Sequence, residues 1–149
     1  MSAPRAGFTV AELAAVLLVI GVGAAVAVPA LRTPREEGAG AAAAALREVY
    51  AGARGASALR GVPVAVEVDA AGAFAMYAEL ADGARDTLRE GRLPLGPDGV
   101  VRGGTEGAAR ARFTPLGRAR ADRAEVVAGG ASAVVEVDPW TGGTGDARP

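Results

Sequence analysis

Residues 8–28 read FTVAELAAVLLVIGVGAAVAV and decide the architecture of the first part of the chain. This stretch of 21 residues carries a single charged side chain, Glu12. A helix of that length spans roughly 31 Å, which is close to the thickness of the hydrocarbon core of a bilayer. The stretch therefore predicts a transmembrane helix, which we place at residues 8–31.

The residues at the start of this apolar run are Gly7-Phe8-Thr9-Val10-Ala11-Glu12-Leu13. The string resembles the class III signal sequence of type IV pilins and of type II secretion pseudopilins. The resemblance implies that a prepilin peptidase cleaves after Gly7, which removes a leader of residues 1–7, and that the new N-terminal Phe8 is then N-methylated. It also implies that Glu12 guides assembly into a filament and that Pro29 kinks the helix.

Two other interpretations of this segment are an ordinary secretory signal peptide and an unprocessed signal anchor. Arg5 precedes the apolar run, and residues 25–27 read AVA, a possible cleavage site. Glu12 argues against the secretory signal peptide, because a charge inside a membrane is costly and usually functional and would serve no purpose in a discarded peptide. The positive-inside rule does not set the topology, since Arg32 and Arg35 follow the helix. A cytoplasmic N-terminus is implied by the resemblance alone.

Residues 32–61 predict an amphipathic helix. Thr33 suits the N-cap, Pro34 the first helical position, and Glu36 completes a capping box. Small and apolar residues then recur at spacings of three and four, as on one helix face: Ala39, Ala42, Leu46, Val49, Tyr50, Ala53 and Ser57. Gly61 is a plausible helix stop.

After this helix the apolar residues recur at every second position, which indicates half-buried strands. Two alternating sets flank a turn at residues 70–72: Val62, Val64, Val66, Val68 and then Phe74, Met76, Ala78, Leu80. Further strands are expected at residues 88–93, 100–101, around Ala111 and Phe113, at 124–128 and at 133–137. The Gly-rich residues 141–149 are expected to form a loose tail. The fold class is thus α+β, with an antiparallel β-sheet head at residues 62–149.

The resemblance to pilins continues into this head. Residues 53–64 look like the end of the helix and the first strand of GspH/FimT-type minor pilins, with Pro63 interpreted as an edge-strand marker. Residues 113–117, Phe-Thr-Pro-Leu-Gly, are similar to a later turn of that group. The resemblance implies a single-pass protein of the bacterial inner membrane with a periplasmic head. Its implied partners are other pilins, the prepilin peptidase/N-methyltransferase and an inner-membrane assembly platform.

The composition argues against catalysis. The chain has no Cys and no His, and all 16 basic residues are Arg. Disulfides, thiol chemistry and a Walker A loop are therefore excluded. We expect Ser57 to be a packing residue, since a serine nucleophile needs a base. We expect no enzyme activity and no cofactor, with a membrane-anchored enzyme as the alternative from another class.

The sequence offers two candidate binding sites. Asp138 and Asp146 could share a Ca²⁺ ion, although two carboxylates fall short of the usual six to eight oxygen ligands. The densest basic stretch is a potential DNA patch, formed by Arg110, Arg112, Arg118, Arg120 and Arg123. With a formal net charge of -1, we expect a solvated face there and no nucleic-acid binding.

The function implied by the resemblance is that of a minor pseudopilin, a structural and assembly subunit of the periplasmic pseudopilus in type II secretion. The alternative is a minor type IV pilin that primes pilus assembly or binds DNA for uptake. The sequence does not separate these two systems.

Overall fold

The computed structural model of the chain describes residues 38–104 and 107–146. The chain divides into two units, Met1–Arg35 and Glu36–Pro149, and all described residues belong to the second. The predicted leader, the transmembrane helix and their functional residues lie outside the described ranges: Gly7, Phe8, Glu12 and Pro29. Within those ranges, no helix has both the length and the apolar character that crossing a membrane requires.

Helix α1 covers Ala39–Arg60. Every residue of the predicted stripe is buried, together with Ala43: Ala39, Ala42, Leu46, Val49, Tyr50, Ala53 and Ser57. Gly61 ends the helix in the left-handed region at φ 69°, and its N–H donates to the carbonyl oxygen of Ser57 at 3.0 Å. The helix begins later than predicted, because Gly38, at φ 139° and ψ 175°, is not helical. The predicted cap at Thr33 lies outside the described residues.

In the described part of the chain nine strands follow the helix, and all their pairings are antiparallel. They are β1 Val64–Val68, β2 Ala73–Glu79, β3 Arg85–Arg92, β4 Val100–Arg102, β5 Ala109–Phe113, β6 Ala119–Ala121, β7 Ala124–Ala128, β8 Ala131–Val137 and β9 Thr144–Asp146. They form a five-stranded sheet in the order β3-β2-β1-β5-β6 and a four-stranded sheet in the order β4-β7-β8-β9. The α+β class is as predicted, whereas the single expected sheet is in fact two.

Strand β1 lies in the middle of the five-stranded sheet. It pairs with β2 on one side, as the predicted hairpin requires, and with β5 on the other. The interpretation of Pro63 as an edge-strand marker is therefore wrong. Pro63 directly precedes the strand, where its missing N–H removes no ladder bond, and its carbonyl oxygen accepts a hydrogen bond from the N–H of Glu79 at 2.9 Å.

The core lies where helix α1 meets both sheets. The largest fully buried side chains share this region: Tyr50, Phe113, Leu46, Val64, Val66, Val68, Val101, Val126 and Val135. The rings of Tyr50 and Phe113 are tilted, with centroids 5.9 Å apart, a favourable aromatic arrangement. One helix thus provides the buried face for strands of two different sheets.

Two predicted features of the head are wrong. Leu80, expected in the core, is 42% exposed, because β2 ends at Glu79 and Leu80 begins a turn closed by the N–H of Gly83. The expected loose tail at residues 141–149 contains strand β9, which pairs with β8. The chain turns back at Gly142, which has φ 64° and at which a Cβ would lie 3.0 Å from the carbonyl oxygen of Gly117.

Candidate functional site

Three of the five arginines of the predicted basic patch lie on the outer face of the five-stranded sheet. The alternate residues of β5 are buried, which turns Arg110 and Arg112 towards solvent. The register of β5 and β6 places Arg112 directly opposite Arg120. Like charges that face each other across two strands repel, so this arrangement requires negative charge nearby.

Carboxylates on the neighbouring strands supply that charge. Nε of Arg112 lies 2.6 Å from Oε2 of Glu79, and Nε of Arg110 lies 3.9 Å from Oε1 of Glu67. Asp122 accepts the main-chain N–H of Arg110 at 3.1 Å. A groove of about 440 Å³ runs between these side chains. Because basic and acidic groups alternate along it, this face is not a continuous positive surface.

The remaining two arginines are placed elsewhere. The guanidinium carbon of Arg118 lies 5.4 Å from the ring centroid of Trp140, at the turn between β8 and β9. Nε of Arg123 lies 3.4 Å from Oε1 of Glu136, on the four-stranded sheet. The structure therefore brings together Arg110, Arg112 and Arg120, and it separates the other two from them.

A polar cluster on the same outer face was missed by sequence reasoning. The hydroxyl of Tyr77 donates to Oε1 of Glu67 at 2.6 Å, and the guanidinium of Arg85 stacks 4.2 Å from the Tyr77 ring centroid. Burial, followed by the hydrogen bond to the carboxylate of Glu67, raises the pKa of Tyr77 to about 12. The available signal was alternation, because Tyr77 occupies the opposite face of β2 from Met76 and Ala78.

Ser57 is fully buried and tied to the main chain. Its hydroxyl oxygen lies 2.8 Å from the carbonyl oxygen of Val62 and 3.1 Å from that of Phe113, so its single proton serves these two acceptors. This geometry joins the end of α1 to the start of β1 and the end of β5. It supports a packing role for the side chain and gives the hydroxyl an additional role in holding the helix end.

The two residues of the possible calcium site, Asp138 and Asp146, occupy separate positions along the four-stranded sheet. Asp146 pairs with Val135, and Asp138 lies three positions beyond Val135 on the same chain, roughly 10 Å away at the usual rise of a strand. Oδ1 of Asp138 instead accepts the N–H groups of Trp140 at 2.8 Å and Thr141 at 2.7 Å. In the described ranges no group of three or more acidic side chains could hold a metal ion.

Comparison with known structures identifies the fold of this head. Its chain trace matches the crystal structure of the type IV minor pilin FimU of Pseudomonas aeruginosa with a TM-score of 0.57. The head has a pilin-like fold. The match covers 72% of this chain and 86% of FimU, at 14% sequence identity. No protein-family model and no curated protein matches the sequence.

Proposed function

We propose that the chain is a minor subunit of a filament of the type IV pilin class, specifically a GspH/FimT-like minor pseudopilin of a type II secretion system. The observation that carries the proposal is the joint presence of a pilin-like head and, in the same chain, the string from Gly7 to Leu13. The role is structural: the subunit supports assembly of a periplasmic pseudopilus used in protein export.

The proposed maturation begins at the inner membrane. A prepilin peptidase/N-methyltransferase cleaves after Gly7 and methylates Phe8, and the segment at residues 8–31 anchors the subunit with its head in the periplasm. The assembly platform and the other pilins of the filament are its partners. Mass spectrometry of membrane-extracted protein should find an N-methylated Phe8; an intact Met1 or a new terminus at Val28 would contradict the proposal.

Glu12 has the central role in this assembly. A lone carboxylate in the membrane costs on the order of 2–3 kcal/mol. No Lys or Arg lies between Phe8 and Leu31, so the nearest cation is the terminal amine of Phe8. Pairing with the amine of a neighbouring subunit neutralises both charges and fixes the register between subunits.

The variant Glu12→Ala tests this role. We expect normal cleavage and a folded head, but strongly reduced incorporation into the filament, measured by the amount of subunit in sheared filament fractions. Glu12→Asp should restore incorporation only in part, because the shorter side chain misplaces the charge. Glu90→Ala, which removes an exposed carboxylate on β3, is the matched control and should be incorporated normally. Normal incorporation of Glu12→Ala would overturn the charge-pairing mechanism.

The alternative function is that of a minor type IV pilin that primes pilus assembly or binds DNA for uptake. The facing pair Arg112 and Arg120 is the observation in its favour, and the interleaved carboxylates Glu67 and Glu79 oppose it. We expect the chain to show no salt-sensitive binding to duplex DNA. Micromolar binding that weakens steeply with salt and is lost in the double variant Arg112→Ala and Arg120→Ala would favour this alternative.

The proposed role is non-catalytic. The hydroxyl of Ser57 is directed to two main-chain carbonyl oxygens, and neither of these hydrogen-bond partners among the described residues is a base that could activate it. A membrane-anchored enzyme would need a nucleophile other than Ser57.

A further inference from the structure

Two neighbouring turns of the head expose large apolar side chains. Leu116, in the turn between β5 and β6, is 90% exposed, and Trp140, in the turn between β8 and β9, is 71% exposed. Trp140 is the sole tryptophan of the sequence. The turns adjoin, because the N–H of Ala119 donates to the carbonyl oxygen of Pro139 at 3.0 Å. We call Leu116, Arg118 and Trp140 together the turn patch.

The backbone under Trp140 is fixed by its own hydrogen bonds. Oδ1 of Asp138 accepts the N–H groups of Thr141 and Trp140, and these hydrogen bonds hold the pKa of that carboxyl below its usual range. The N–H of Gly142 donates to the carbonyl oxygen of Asp138 at 2.8 Å, and the N–H of Asp138 donates to that of Gly143 at 2.8 Å. A side chain presented on an ordered loop loses less entropy when it becomes buried at an interface.

The edge of the turn patch is positively charged. The guanidinium of Arg118 lies over the ring of Trp140. The carboxylate of Asp138 is directed to the N–H groups of its own loop. The patch therefore combines an aromatic and an aliphatic side chain with one cation, Arg118, at their border.

We propose that the turn patch docks a partner protein whose surface has an apolar pocket with carboxylates at its rim. Trp and Arg are the residues most enriched among those that carry binding energy at protein interfaces. Carboxylates on the partner complement Arg118. A second copy presents the same cation to this patch, which opposes self-association. A bilayer surface is also disfavoured, since membrane binding scales with buried apolar area and the patch offers two large apolar side chains.

This docking site is additional to the proposed filament assembly, which depends on the N-terminal segment. Photo-crosslinking tests it in the full chain, expressed in the bacterium from which the sequence comes. The photoreactive residue p-benzoylphenylalanine replaces Leu116, which leaves Trp140 and Arg118 intact. We expect an adduct with a different protein, whose crosslinked segment is apolar and flanked by Asp or Glu.

Variants of the two other patch residues provide the decisive comparison. Trp140→Ala and Arg118→Glu should each lower the adduct yield about fivefold or more, and Trp140→Phe should retain most of it. Arg92→Glu, at an exposed position of the edge strand β3, is the matched control and should not change the yield. The loop keeps its hydrogen bonds in Trp140→Ala, because they involve the main-chain N–H, and circular dichroism should show an unchanged fold.

The other outcomes overturn the proposal. These are the absence of any adduct, an adduct with lipid or with a second copy of the chain, and a protein adduct at a surface without acidic residues. An adduct whose yield is the same in Trp140→Ala would also overturn it. The test does not use filament incorporation as its readout, so a failure of the docking site is distinguishable from a failure of the proposed function.

Discussion

The two faces of the five-stranded sheet are held by different forces. The inner face packs Val64, Val66 and Phe113 against helix α1, and all three are fully buried. The outer face carries exposed ion pairs such as Arg112 with Glu79, whose side chains remain 50% and 30% exposed. Burial of apolar surface is the dominant favourable term in folding, whereas exposed ion pairs contribute little. The inner face therefore determines stability, and the outer face is free to specify contacts.

The largest effect is expected at the centre of the inner face. Phe113→Ala removes a fully buried ring that packs on Tyr50 and should lower the free energy of unfolding by about 3–5 kcal/mol. Urea denaturation of a fragment that begins near Pro34 measures this loss. Trp140→Ala, which truncates an exposed aromatic side chain, is the control and should cost about 0.5 kcal/mol or less. Equal losses in the two variants would contradict the proposed division between the faces.

Ser57 tests whether a buried polar contact contributes as well. Ser57→Ala removes the donor that serves the carbonyl oxygens of Val62 and Phe113, and we expect a loss of about 1–3 kcal/mol in the free energy of unfolding. Ser132→Ala, at an exposed position of β8, is the matched control and should leave stability unchanged. If the two variants unfold at the same urea concentration, the hydroxyl does not hold the helix end.

The loss of stability at alkaline pH compares Tyr50, on the helix that covers the inner face, with Tyr77, on the outer face. Burial raises the pKa of Tyr50 far above its ordinary value of 10, and burial with the Glu67 hydrogen bond raises that of Tyr77 to about 12. The unfolded chain therefore loses these protons first, and stability should fall as the pH rises above 10, with the contribution of Tyr77 lost by about pH 12. No Lys, Cys or His titrates in this range.

The variants Tyr50→Phe and Tyr77→Phe should each flatten this decline, as followed by thermal unfolding between pH 8 and 12. The stabilities of the two variants should differ at pH 7. Among the described residues the buried hydroxyl of Tyr50 has no hydrogen-bond partner, so Tyr50→Phe should not destabilise the head. Tyr77→Phe removes a donor to Glu67 and should destabilise it slightly. If stability still fell unchanged above pH 10 in the double variant Tyr50→Phe and Tyr77→Phe, the assignment of this fall to the two tyrosines would be contradicted.

The smallest effect is expected on the outer face. Arg112→Ala removes the ion pair with Glu79 but also relieves the repulsion with Arg120, so the free energy of unfolding should change by less than about 0.5 kcal/mol. Glu79→Ala leaves the two arginines facing each other without that carboxylate and should be the more destabilising variant at low salt. The difference should shrink as salt is added. If Arg112→Ala were more destabilising than Glu79→Ala, the inferred repulsion between the two arginines would be contradicted.

The periodicity of the sequence predicted where the helix and strands of the head lie better than it predicted which strands pair. The stripe from Ala39 to Ser57 and the alternation of β1 were predicted correctly, because burial on one face leaves a repeat in the sequence. Alternation assigns a face to each residue but does not state which strands pair. The division into two sheets and the central place of β1 were therefore not predictable. Strands β6 and β9, at three residues each, are too short to show a period.

The candidate sites depend on strand register, which explains what the sequence missed. The five predicted arginines are close in sequence, but pairing places only three of them on one surface. The contact of Tyr77 with Glu67 joins residues ten positions apart across a hairpin, and that of Arg112 with Glu79 joins residues 33 apart. The sequence shows charges and aromatic residues at these positions, whereas their combination arises only when the strands align.

The short connection between α1 and β1 has a mechanical consequence. Only residues 61–63 separate the end of the helix from the central strand, and Ser57 ties the same corner to β5. Tension applied along the helix reaches β1 directly. That strand is paired over five positions with β2 and over five with β5, so two hydrogen-bonded ladders share the load. A head attached in this way resists extension at its central strand β1, and an edge strand is not the first to separate from the sheet.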